Sequence, residues 1–266
     1  MSDAHTESQA PIRAYLTYYI DGELASAWQN FPTTSEEMEY NLGRSGIEAE
    51  HLVGILDTLY ETSVRGLDTR LPRKPDLNEL NELAHRLAGM DDIELDTFAA
   101  ALEAGGNWDT VADLINVAQN LDQFDFYPGA FSKQEFGGIM FEMHGEQYRE
   151  VLSWLRDSDD PENRDFAKYV KQLESSVDLV KYATLAQKYD GGALTSTGYL
   201  VPMGTSLPQK YTGLGDIPPE HLLTGQHEAP QQKPSLLGAV AAVREKQAAE
   251  APERERGHDA PTGPEL

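Results

Sequence analysis

The chain has 266 residues, enough for one large domain or two to three small ones, and 39% are hydrophobic, which argues against disorder over most of the length. Forty-five Asp and Glu face 21 Lys and Arg, a net charge of −24 whose field repels nucleic acid and acidic membrane surfaces and attracts basic ones. No cysteine is present, which removes disulfides, zinc–thiolate sites, iron–sulfur clusters and thiol catalysis together. No apolar run approaches the roughly 18 residues of a membrane span. Met1 to Pro11 is polar and acidic, unlike a secretory signal, so a cytoplasmic address is expected.

In chain order, a small sheet comes first. Ile12, Ala14, Leu16 and Tyr18 alternate with Arg13, Tyr15, Thr17 and Tyr19, Asp21-Gly22 is a hairpin turn signal, and Glu23 to Trp28 returns as the second strand. The aromatic residues Tyr15, Tyr18, Tyr19 and Trp28 read as sheet-core packing, because the surrounding charge has the wrong sign for stacking on bases. Thr34 and Ser35 before Glu36, Glu37 and Glu39 mark a helix start. A further strand is expected near Leu59 to Leu67, before Pro72 and Pro75 close a first domain over 12–75.

Residues 76–127 form the second expected domain and hold twelve acids against one base, Arg86. The acids are Asp76, Glu79, Glu82, Asp91, Asp92, Glu94, Asp96, Glu103, Asp109, Asp113, Asp122 and Asp125. The segment's net charge is −11, against −6 for 1–75, −4 for 128–200 and −3 for 201–266. Solubility or salt adaptation would spread acids over the whole surface, so their concentration favours binding of a basic partner. Three short amphipathic helices are expected. Asp76 starts the first, with Leu77, Leu80, Leu83, Ala84 and Leu87 inside and Gly89 at its end. Asp91-Asp92 opens the second, with Ile93, Leu95, Phe98, Ala99 and Leu102 inside. Asn107 caps the third, which carries Trp108, Val111, Leu114, Ile115 and Ala118. Acids in first turns favour the helix dipole, which accounts for Asp91, Asp92 and Asp109. The dipole does not account for the lack of Lys and Arg in the last turns. Three helices of roughly 11 residues side by side would carry one net charge per about 3–4 Å, about half the linear density of duplex DNA.

After the Pro128-Gly129 turn, helices are expected over His144 to Arg156 and Asp165 to Tyr189. Phe166, Val170, Leu173, Val177, Val180 and Leu185 lie on the inner face of the second, and a closing hairpin spans Ala193 to Val201. These complete a third domain over 128–203. From 204 to 266 the chain is rich in Pro, Gly, Gln, Ala and Glu and reads as a mostly disordered tail with one amphipathic candidate, Pro234 to Ala249.

Catalytic patterns are missing. The histidines His5, His51, His85, His144, His221, His227 and His258 form no H-x-x-x-H pair, and there is no G-x-S-x-G and no glycine-rich loop before Lys-Ser/Thr. The acidic runs starting at Asp91 and Asp157 lack the glycine at position six of a calcium loop and end on Leu102 and Lys168. Neither an enzyme, a metal nor a cofactor is expected.

Tyr15-Leu16-Thr17-Tyr18-Tyr19, then Gly22-Glu23-Leu24-Ala25-Ser26-Ala27-Trp28, resembles the opening sheet of the ArdA antirestriction family. Leu77 to Ala84, Ala100 to Gly106 and Phe124 to Gly129 are similar to that family's central helices and following strand. Asp190-Gly191-Gly192 with Thr197 to Leu200 is similar to its closing strand. The resemblance implies an elongated α+β chain of three small domains that forms a homodimer. Its curved acidic surface imitates bent DNA, occupies the groove of type I restriction–modification enzymes and protects incoming mobile DNA. The twelve acids of 76–127 would stand in for phosphates, and Ala101 to Leu114 falls where the family's antirestriction motif is expected. The other reading is an acidic adaptor or regulator of a mobile element that binds a different basic protein.

Overall fold

The computed structural model describes residues 10–48, 51–52, 54–106 and 108–223. The fold is α+β with two small antiparallel sheets. The first hairpin pairs β1 (Ile12–Ile20) with β2 (Glu23–Phe31) across Asp21 and Gly22, both at positive φ (50° and 92°), as a two-residue turn between right-twisted strands requires. Helix α1 (Ser35–Gly43) follows, closed by a capping box between Thr34 and Glu37. Strand β3 (Ile55–Thr62) then completes the sheet in the order β2-β1-β3. It lies earlier than the expected Leu59 to Leu67, because Val64 and Leu67 are buried in the turn after it rather than in a strand.

The inner face of this sheet (Ile12, Ala14, Leu16, Tyr18) shares one buried cluster with α2 (Leu77–Ala88), α3 (Asp92–Ala104) and α4 (Val111–Gln119). Of the aromatic residues expected in that core, only Tyr18 is buried. Tyr15, Tyr19 and Trp28 line the outer face, where the Arg13 guanidinium sits 4.3 Å above the Trp28 ring. Helix α3 buries Thr97 to Leu102, while Ile93, expected inside, is exposed. Helix α4 is capped by Thr110, so Trp108 precedes it; Asn107, its expected cap, lies outside the described residues.

The second sheet has the order β4-β6-β5, from β4 (Phe124–Pro128), β5 (Ala193–Leu194) and β6 (Gly198–Pro202). It divides two cores. Phe124, Phe126 and Leu200 join the large cluster, while Tyr127, Tyr199 and Val201 join a smaller one. That smaller core also holds Phe136 of α5 (Lys133–Arg156) and Ala183 of α7 (Leu179–Asp190). Helix α5 begins well before the expected His144. Gly137 and Gly138 weaken the helical pattern there, yet a Cβ at Gly137 would overlap the Leu179 carbonyl, so the glycine permits α5 and α7 to meet. The expected helix from Asp165 to Tyr189 is two helices, α6 (Pro161–Glu174) and α7, with Asp178 capping the second. Phe166 on α6 and Val180 and Leu185 on α7 are exposed, so the face expected inside does not run continuously across the break. No described helix is long and apolar enough to cross a membrane.

Residues 207–223 are folded, so order extends past 203, the expected end of the third domain, into the segment read as a mostly disordered tail. They run over α2 and α4, bury Tyr211, Ile217 and Leu223, and are read along their backbone by asparagines. Asn120 donates to the Pro208 carbonyl (2.9 Å). Asn116 accepts from the Lys210 and Tyr211 N–H groups (2.9 and 2.8 Å) and donates to the Tyr211 carbonyl (3.0 Å). Asn81 donates to the His221 carbonyl (2.8 Å), and Asn78 accepts from the Leu223 N–H (2.7 Å). The helix candidate at Pro234 to Ala249 lies outside the described residues.

Asn81 is fully buried and also bonds both backbone groups of Thr33, so it ties this strap to the N-terminal sheet. Asn81→Ala leaves three backbone groups unpaired and is expected to cost about 2–4 kcal/mol, at about 1 or more for each group. Denaturant unfolding measures it; a loss below 0.5 kcal/mol, about the scatter of a surface change, contradicts this role.

Candidate functional site

The expected site acids divide by what their carboxylates do. Four serve helix starts. Asp76 accepts from the Asn78 and Glu79 N–H groups (2.8 and 3.2 Å), and Asp91 and Glu94 form a reciprocal capping box (2.9 and 3.0 Å). Asp113 accepts from the Thr110 hydroxyl and from the N–H groups of Thr110 and Asp109 (2.7, 3.0 and 3.2 Å). Such caps contribute about 1 kcal/mol each and hold the side chain at one rotamer.

Four others are engaged in tertiary contacts. Glu82 is 1% exposed, with Arg86 Nη2 at 2.6 Å from one oxygen and His221 Nδ1 at 2.7 Å from the other. The His221 ring stacks on His85 with centroids 3.7 Å apart, and burial together with the neighbouring His221 lowers the His85 pKa. Glu79 accepts from the Tyr211 hydroxyl (3.1 Å). Burial raises its pKa, with further contributions from Asp76 and Asp113, whose charges lie close by. Glu103 accepts from the Ser196 N–H and hydroxyl (2.8 and 2.6 Å). Asp122 faces the Lys210 ammonium at 3.4 Å, and its pKa is lowered chiefly by the Gln123 side chain and then by Lys210.

The remaining four, Asp92, Asp96, Asp109 and Asp125, are exposed, and among the described residues no side-chain hydrogen bond or ion pair engages their carboxylates. Asp92 and Asp109 therefore have no capping role, although the helix dipole favours them where they stand. Asp92, Asp96 and Glu103 are spaced four and seven residues apart on α3, which puts them on one stripe within about 40° and along about 16 Å. That is one carboxylate per roughly 5–8 Å, compared with one phosphate per 3.4 Å along a DNA strand.

Helix α2 carries His85 and Arg86 in its last turn, whereas α3 and α4 carry no base there and receive one from elsewhere in the chain. Arg70 donates to the Leu102 carbonyl near the end of α3 (2.9 Å), and Lys210 donates to the Gln119 carbonyl at the end of α4 (2.7 Å). Each satisfies an orphan carbonyl and meets the negative end of a helix dipole. Arg86 faces inward to Glu82, so residues 76–127 put no free cation among their exposed acids. The asparagine pairs 78/81 and 116/120, at helical spacing on apolar faces, were the sequence signal for a buried peptide partner. Nothing in the sequence marked His221. Residues Ala101 to Leu114 form the end of α3, the following loop and the first turn of α4, with Asn107 outside the described residues.

The family model described as antirestriction protein (ArdA) matches residues 14–201, well over half of the chain, and the protein belongs to that family. No curated protein matches the chain. The strap at 207–223 lies beyond the matched span.

Two outcomes separate structural acids from surface acids. Glu82→Ala takes away the buried carboxylate shared by the partly exposed Arg86 and His221 and is expected to cost about 1.5–3 kcal/mol, while Asp92→Asn stays within about 0.5 kcal/mol. Equal losses in chemical denaturation contradict the division. Glu79 holds its proton more tightly folded than unfolded, so stability falls as pH rises from its unfolded pKa through the raised folded one. Glu79→Gln keeps an acceptor for Tyr211 and is expected to raise the thermal midpoint at pH 7, with the gain vanishing below about pH 4. A gain of the same size at both pH values is the contrary result.

Proposed function

We propose that this antirestriction protein is a non-catalytic DNA decoy. Its central acids occupy the basic DNA-binding groove of type I restriction–modification enzymes in the cytoplasm and so protect incoming mobile DNA. The observation that carries the reading is the one-sided charge of the helical middle. Asp92, Asp96, Asp109 and Asp125 stand exposed and, among the described residues, unpaired, Asp76, Asp91, Glu94 and Asp113 are fixed by their own caps, and the only arginine of the segment faces Glu82.

A basic groove releases bound counterions on meeting such a surface, as it does on meeting phosphates. Helices supply the rigidity, since a capped helix loses little freedom when bound. The acids available at the surface are sparser than phosphates, so a homodimer that continues the row through a second copy belongs to the proposal. The capped acids add charge to the decoy only where their carboxylates remain open to solvent, and Asp92 and Asp96, one turn apart on α3, are its most regular free pair.

The test is competition between the purified protein and DNA for a type I enzyme, read as cleavage and methylation at several salt concentrations. Inhibition is expected to weaken steeply with salt. Reversal of Asp92, Asp96, Asp109 and Asp125 to Lys, none of which breaks a cap, is expected to weaken inhibition by at least tenfold at low salt. Inhibition unaltered by that set, or no inhibition by the parent protein at any salt, overturns the reading.

A further inference from the structure

The turn between β5 and β6 touches the acidic helix at two places, and neither contact belongs to a core. At its centre the Ser196 N–H and hydroxyl both donate to one carboxylate oxygen of Glu103 (2.8 and 2.6 Å). One residue on, the Thr197 hydroxyl donates to the Asp96 carbonyl (3.0 Å). Asp96 and Glu103 are two turns apart on α3, about 10 Å along its axis. Two attachments at that separation fix an angle as well as a position. Ala99 lies between them on the same face and is buried, so the smallest side chain leaves room for the turn.

The segment after β3 reaches the same place. Arg65 donates to the Ser196 carbonyl (3.4 Å), and Arg70 donates to the Leu102 carbonyl beside Glu103 (2.9 Å). Arg65, Thr69, Arg70, Leu102, Glu103 and Ser196 line one cleft of about 400 Å³ at this junction. The turn is itself rigid, because Thr195 is buried and closes it by bonding both backbone groups of Gly198 (2.8 and 3.2 Å). Sheet β4-β6-β5 carries α5 and α7 on its other side through Tyr199 and Phe136, whose rings stack at 3.6 Å.

We propose that residues 195–197 are a clasp that sets the angle between the acidic helix α3 and the C-terminal helical layer, and that Glu103 is a positioning residue rather than a phosphate mimic. Its carboxylate is already engaged by two donors, so its contribution is geometric. Neutral Ser196 and Thr197 then matter to inhibition although neither carries charge. The effect on inhibition rests on the decoy reading; the effect on geometry does not.

The absence of cysteine makes the geometric test clean, since spin labels attach only at introduced sites. Ile93→Cys on α3 and Tyr189→Cys on α7, both exposed, report the distance between the two layers. The full chain is expected to give one narrow distance distribution. Ser196→Ala with Thr197→Val, or Glu103→Ala, broadens or shifts it, and Glu103→Gln, which keeps the acceptor, restores it. A distribution unchanged by Glu103→Ala and by the double variant overturns the clasp whatever the protein inhibits.

In the competition assay the double variant and Glu103→Ala are expected to inhibit about tenfold more weakly, from loss of two hydrogen bonds, with the double variant's salt slope unchanged because its charge is unchanged. Glu103→Gln stays within about twofold of the parent, while Asp92→Asn lowers the slope by about one. If Glu103→Gln and Glu103→Ala weaken inhibition equally, with the slope reduced as in Asp92→Asn, Glu103 acts as a charge and the positioning role is refuted. If the labels report the clasp but no variant alters inhibition, the decoy surface fails and the clasp stands as architecture alone.

Discussion

Twelve carboxylates and one arginine within 52 residues repel one another, and three short helices hold them only by putting many of those charges to use. A like-charged pair at i,i+4, such as Asp92 and Asp96, costs about 0.2–0.5 kcal/mol where no base relieves it. Caps at Asp76 and Asp91, and the Thr110 cap that Asp113 closes into a box, return about 1 kcal/mol each by satisfying orphan N–H groups. Arg70 and Lys210 supply the positive charge that the helix C-termini want, from outside the acidic segment. Burial of Leu80, Leu83, Phe98, Leu114 and Ile115 supports the rest, which is why the helices share a core with the first sheet instead of standing apart. Among the described residues, Asp92, Asp96, Asp109 and Asp125 are thereby left without an ion-pair partner.

How far each element could be read from the sequence follows from how local its cause is. The hairpin at Asp21-Gly22, the caps at Thr34, Asp76 and Asp91, and the apolar face of α2 depend on residues within a few positions of one another, and they occur where the pattern put them. The start of α5 and the break before α7 depend on contacts distant in sequence, Gly137 against Leu179 among them, which local propensity cannot report. The acids show the same limit. Asp92 and Glu82 look alike as letters in helical sequence, yet one is exposed and the other is 1% exposed against a histidine 139 positions later. Periodicity already put Glu82 beside Leu83; only the strap decides that it is covered.

That strap has none of the usual marks of structure. Its three buried side chains, Tyr211, Ile217 and Leu223, follow neither a helical nor a strand period, and prolines and glycines lie between them. Its backbone groups are paired by asparagine side chains rather than by a ladder or a helix, so composition alone reads as a linker. Its position beyond the matched family span has a consequence for charge. By engaging Glu79, Glu82 and Asp122 through Tyr211, His221 and Lys210, it gives three carboxylates fixed partners, Asp122 while still exposed, and leaves the unengaged acids on α3, before α4 and on β4.

A sparse row of charges can compete with DNA only if each charge is already where the partner's cation will be. Exposed ion pairs contribute at most about 1 kcal/mol apiece, and any freedom lost on binding is subtracted from that small sum. Fixing the row before binding therefore matters as much as lengthening it. In this fold neutral groups share the fixing with the capping acids: Thr110 at the start of α4, the asparagines under the strap, and the Ser196–Thr197 turn against α3. The most acidic part of the chain depends for its shape on the residues around it that carry no charge.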